Sequence, residues 1–116
     1  KNKDHGYLRE WFDDDKLYIE YRFKNGKKNG IQKRWHENGQ LDIIYNFNNG
    51  KLEGQQKSWY HDGKVKAHWN YHNDKQHGKN KEWFSNGNLK SVKIYDNGTL
   101  VNILELYDIN GVKNEK

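Results

Sequence analysis

Four tryptophans, Trp11, Trp35, Trp59 and Trp83, recur at intervals of 24 residues, and a base stands two positions before each: Arg9, Lys33, Lys57 and Lys81. On an extended strand residues i and i+2 point the same way, so each pair sets an indole beside a cationic head. That combination suits adhesion rather than bond-making. It offers cation–π contact and an apolar wall with a positive rim, on which an acidic partner can dock. Two plainer uses compete with docking: the indoles serve as the packing ladder, and the lysine stems shield them while the charges stay in water. A further column, Phe12, His36, Tyr60 and Phe84, follows each Trp by one residue. It is expected on the opposite face and partly exposed. The candidate partner-binding residues are therefore Trp35, Trp59, Trp83, Lys33, Lys57, Lys81, Arg9, Tyr60 and Phe84.

Other chemistry finds less support. His61, His68, His72 and His77 crowd one stretch, but zinc needs three or four ligands converging tetrahedrally. His68 and His72 on one strand would stand about 13 Å apart. The run Asp13-Asp14-Asp15 lacks the alternating ligands and terminal Glu of a calcium loop and reads as a solvated turn. No nucleophile elbow, phosphate-binding glycine loop or metalloprotease helix occurs. The acids fall on separate surface turns with nothing to desolvate them. The expectation is a non-enzyme with no catalytic residue, metal or cofactor.

The elements that must position these columns follow from the same period. Glycine repeats at Gly6, Gly30, Gly54 and Gly78, and again at Gly39, Gly63, Gly87 and Gly111. Turn signals at Asp14-Asp15, Asn25-Gly26, Asn38-Gly39, Asn49-Gly50, Asp62-Gly63, Asn73-Asp74, Asn86-Gly87, Asn97-Gly98 and Asn110-Gly111 alternate 11 and 13 residues apart. The segments between them are short and rich in Tyr, Trp, Ile and Phe, which predicts antiparallel strands and essentially no helix. The fold class expected is all-β: a single-layer, elongated antiparallel β-meander of tandem 24-residue hairpins. One repeat domain covers residues 1–116, with copies at 6–29, 30–53, 54–77 and 78–101 and a partial copy at 102–116. Nine or ten strands at about 4.8 Å spacing give a ribbon about 45 Å long.

Parity chooses the turns. A three-residue turn, Glu37-Asn38-Gly39, with Gly left-handed, sets Trp35 facing Leu41. The same rule applied to Asn48-Asn49-Gly50 gathers on one face the Trp ladder, Leu17, Leu41, Val65 and Leu89, and Phe23, Phe47, Tyr71 and Tyr95. Asp15 and Asp74 stand where Gly is expected, and Asp tolerates left-handed backbone better than most residues.

Composition agrees with an array. Only 32% of residues are hydrophobic, but five Trp, eight Tyr and four Phe supply an aromatic ladder in place of a globular core. The 21 Lys and Arg against 16 Asp and Glu leave a formal charge of +5, which favours acidic partners. The absence of Cys removes disulfides and thiolate metal sites. No apolar run approaches the about 18 to 20 residues that span a bilayer. The compartment stays open: the cytoplasm is favoured, and export is expected only if a signal segment preceded Lys1.

These residues resemble the MORN repeat family, specifically its bacterial variant, with the shape G-x-x-x-x-W-x-x-N-G-x-L and then Y-x-x-N-G-K-x-x-G. Residues 30–41, GIQKRWHENGQL, match the first half, and residues 21–30, YRFKNGKKNG, are close to the second. The likeness runs from residue 6 to about 111. The tyrosine-glutamate-glycine opening of the eukaryotic repeat is missing, and Asp15, Asp74 and the eroded fifth copy depart from the variant pattern. The resemblance implies MORN-type hairpins and a non-catalytic protein-binding module akin to antitoxin or immunity proteins of bacterial toxin systems. Its partner would be a toxin or secreted protein encoded nearby. The alternative is a peripheral membrane module on anionic phospholipid headgroups. Nucleic acid ranks last, because +5 is modest and acids are interspersed. Unpaired strands near 7–12 and 103–109 could also pair end to end.

Overall fold

The computed structural model describes residues 6–114, which form twelve strands. They are β1 (Gly6–Trp11), β2 (Leu17–Lys24), β3 (Lys27–Lys28), β4 (Gly30–Trp35), β5 (Leu41–Asn48), β6 (Lys51–Leu52), β7 (Gly54–Trp59), β8 (Val65–His72), β9 (Lys75–Gln76), β10 (Gly78–Trp83), β11 (Leu89–Asp96) and β12 (Thr99–Leu106). All belong to one antiparallel sheet, ordered β1-β2-β4-β5-β7-β8-β10-β11-β12, with β3, β6 and β9 paired beside β2, β5 and β8. The described residues contain no helix. The extents, 56 × 35 × 12 Å, are those of a ribbon one sheet thick.

Two kinds of turn alternate. The first is the three-residue turn expected: Gly39 N–H donates to the His36 carbonyl at 2.9 Å, and His36 N–H donates to Gln40 O at 2.7 Å. Asn38 Oδ1 accepts the Gln40 N–H and braces it. Asp15 takes the left-handed role of Gly39, at φ 69°. The second kind corrects the sequence reading. Asn49 and Gly50 are both left-handed, at φ 50° and 86°, and Asn48 pairs with Lys51. This is a two-residue turn of the mirror-image type whose twist suits a hairpin. Asn73-Asp74 repeats it, with Asp74 at φ 71°.

A second correction concerns the faces. Trp35 pairs with Leu41 as expected, but Arg34 pairs with Ile43, so Asp42 is an extra residue in a β-bulge. The bulge recurs in every copy, and each one inverts parity along the rest of its strand. Trp35, Leu41, Lys33 and Ile44 share one face. Ile43, Tyr45 and Phe47 lie on the other, with Gln32 and Arg34. Phe23, Phe47, Tyr71 and Tyr95 therefore oppose the tryptophans, and Lys28 Nζ sits 4.4 Å from the Tyr21 ring centre and 5.4 Å from that of Phe47.

What closes the repeats together is polar. Between copies β5 pairs with β7 only at Ile43↔Ser58 and Ile44↔Lys57, because β5 next pairs with β6 and β7 turns away. Gly54, at φ 83°, makes that branch. The gap would orphan backbone groups, and Gln56 fills it. Its Oε1 accepts the Asn46 N–H at 2.5 Å, and its Nε2 donates to Gly54 O at 3.0 Å. Gln32 does the same for Arg22, and Asn80 accepts from Asn70. All three are buried, on the face that also buries Ile19, Ile43 and Ala67. In the fifth copy Asn102 stands at the branching glycine's position without positive φ, and β12 stays on β11 along its whole length.

A Cβ added at Gly54 meets nothing within 4 Å. Gly54→Ala should therefore cost only the left-handed backbone term, about 1 to 2 kcal/mol, read as a shift in urea midpoint with unchanged slope. A loss above about 4 kcal/mol would mean that the branch also depends on close packing.

Candidate functional site

Strand alternation carries the Trp and Lys columns to one face, as their i, i+2 spacing requires. The backbone register then lines up one row straight across the sheet: Arg9, Glu20, Lys33, Ile44, Lys57, His68, Lys81, Val92, Glu105. Its members stand about 4.8 Å apart. The two ends differ from the middle. Arg9 Nε pairs with Glu20 Oε2 at 2.7 Å at one end, and at the other stands an acid, Glu105, which accepts a hydrogen bond from the Tyr107 hydroxyl. In the middle, Lys33, Lys57 and Lys81 form no ion pair among the described residues. On this face β4, β5, β7, β8 and β10 carry no carboxylate.

Arg9 is thus brought into the row but already partnered, and it also lies 4.5 Å from the Tyr7 ring centre. Trp35, Trp59 and Trp83 are half-buried, whereas Trp11 at the array's end is 55% exposed. No cation–π contact joins these lysines to these indoles among the described residues. The indole of Trp83 instead meets His68 edge-on, with ring centres 5.0 Å apart. His68 was counted with the histidines of copy three, and only the register shows it between Lys57 and Lys81. Burial, then the charges of those two lysines, holds its pKa below the usual value.

Tyr60 and Phe84 lie on the other face. Tyr60 lines a cavity of about 140 Å³ with Lys66, Ala67, Trp69, Glu82, Trp83 and Lys90, and Lys66 and Lys90 sit 5.6 Å from the Tyr60 and Phe84 ring centres. By strand parity Tyr60 and Phe84 face away from the tryptophan column, and Trp83 is the residue of that column that also lines the Tyr60 cavity. The Tyr60 hydroxyl donates to Trp83 O at 2.7 Å, and His36 Nε2 lies 2.9 Å from Trp59 O. These side chains stitch copy two to copy three and copy three to copy four. Tyr60→Phe should cost about 1 kcal/mol, the net worth of such a hydrogen bond. A thermal melt unchanged by that substitution would show the hydroxyl to be idle.

Sequence reasoning missed Gln32, Gln56 and Asn80. The signal was present: a polar residue recurring every 24 positions on the strand face that carries Ile43. It also missed the approach of His36 to Asp42, 3.4 Å, and of His72 to Glu53, 2.8 Å. The Asn73 N–H and then His72 hold the Glu53 carboxyl below its ordinary pKa. Among the described residues no three His, Cys, Asp or Glu side chains gather as a metal site requires.

A family profile described as MORN repeat variant matches residues 28–49, 52–73 and 76–97. No curated protein matches the chain.

Proposed function

The chain belongs to the MORN repeat variant family, whose repeats are non-enzymatic modules that bind proteins or membranes, and from that premise we propose that it is a protein-docking module. Its partner presents an acidic surface to the tryptophan face, and the antitoxin-like or immunity-like role expected from the resemblance is the form this takes. The single observation that carries the reading is the unneutralised centre of the Lys33, Lys57, Lys81 row between flanking indoles. Half-buried aromatics beside free cations provide anchor area and electrostatic steering together. Acids at both ends of the row confine the positive field to the central copies. A membrane plane needs a broader one.

The test is co-expression with the product of the adjacent gene, followed by affinity purification and measurement of the complex. A stoichiometric complex that dissociates as salt rises is the expected result. A parallel flotation assay uses vesicles of phosphatidylcholine with and without phosphatidylglycerol. Capture by the anionic vesicles, with no complex to the neighbouring gene product, transfers the reading to the membrane.

A further inference from the structure

We propose that Lys57, His68, Lys79 and Lys81 form a seat for a single phosphate-monoester group. The seat goes beyond the docking reading and stands whether or not a protein brings the phosphate. It is a shallow cavity of about 240 Å³ lined by Gln55, His68, Asn70, Lys79 and Lys81. His68 pairs with Lys57 on one side and with Lys81 on the other, so two ammonium groups flank one imidazole. Neither ring nitrogen of His68, nor the Nζ of Lys57, Lys79 or Lys81, has a hydrogen-bond or ion-pair partner among the described residues. The edge-on contact with Trp83 holds the ring in place.

The first copy shows what this slot does when it is filled from within. There Glu20 occupies the position of His68, between Arg9 and Lys33, and takes the arginine at 2.7 Å. In the second copy the slot holds Ile44 between Lys33 and Lys57, and in the third His68 between Lys57 and Lys81, so only the third sets a titratable, hydrogen-bonding ring between two unpaired bases and leaves room for an anion from outside. Three lysines exceed what one carboxylate neutralises. A phosphate monoester brings nearly two charges and three acceptor oxygens.

The charges facing His68 are Lys57 from β7 and Lys79 and Lys81 from β10, and His72, four residues along its own strand, contacts Glu53 instead. An anion among them offsets the two effects that disfavour the imidazolium, burial and the lysine charges. Binding should therefore take up a proton at His68. Sulfate, which does not titrate here, should bind more tightly as pH falls from about 8 to about 6.

The experiment is a titration of the full chain with O-phosphoserine, following the His68 ring and Trp83 indole signals by NMR. Saturable shifts of both are expected, with affinity about tenfold or more lower in the Lys57→Gln/Lys81→Gln double variant. His68→Glu restores the first copy's arrangement, should fold at least as well, and should abolish the Trp83 response. Three results overturn the proposal: no saturable shift in the parent, undiminished binding in the double variant or in His68→Glu, or shifts seen only with phosphatidylglycerol vesicles and not with phosphoserine. Loss of the protein complex described above leaves these outcomes readable, because the phosphoserine titration requires no partner.

Discussion

Gln56→Leu should destabilise the protein by about 2 to 4 kcal/mol, although it replaces a polar side chain by an apolar one of similar volume. Gln56 is 1% exposed and stands where β5 and β7 part. Its amide acts as a detached peptide unit, accepting the Asn46 N–H and donating to Gly54 O. Leucine fills the space and satisfies neither group. A buried donor left without a partner costs about 1 to 3 kcal/mol, and here a carbonyl loses its donor at the same time. The opposing gain, burial of more apolar surface, amounts to about 1 kcal/mol for one or two methylene equivalents. The deficit wins. Gln55→Leu, next in the chain but exposed, is the control and should stay within about 0.5 kcal/mol of the parent. Urea unfolding of the two variants measures the difference, and equal midpoints would mean that water replaces the amide in the gap.

The second large effect is on binding. Reversing Lys33, Lys57 and Lys81 together to Glu should weaken the partner complex by about 100-fold or more, since like charges brought together at an interface cost several kcal/mol. The fold should survive. The three lysines are half-buried but none is ion-paired among the described residues, so no internal pair is lost on reversal. The added cost is local, where a carboxylate at position 33 would face Glu20. Net charge alone must be separated from position. Reversing Lys27, Lys51 and Lys75, on the exposed two-residue hairpins that precede β4, β7 and β10, changes the formal charge equally at a distance from the row. That variant should lose only long-range steering, a fall in association rate that salt removes. If both triple variants bind alike, the tryptophan face is not the docking surface, and the cavity beside Tyr60 becomes the place to look.

What the sequence by itself determined is whatever depends on neighbours along the chain. The period of 24 set the hairpins, and Asp15 and Asp74 could be placed in left-handed backbone because they occupy a glycine's slot in the repeat. Lys33 and Trp35 had to share a face, because alternation within one strand involves no other strand. What the tertiary structure decided is everything that compares two strands. Phe47 was assigned to the tryptophan face and lies on the other, since the Asp42 bulge inverts the parity that the Glu37-Asn38-Gly39 turn had correctly set. The Asn49-Gly50 hairpin has two residues where three were expected, and one residue decides the side of every residue after it. The role of Gln56 could not be read along the chain, because its partners, Asn46 and Gly54, become unpaired only when Gly54 turns the chain away from β5. His68 came between Lys57 and Lys81 for the same reason: the row across the sheet is made of residues 11 or 13 positions apart, and only the strand register brings them opposite one another.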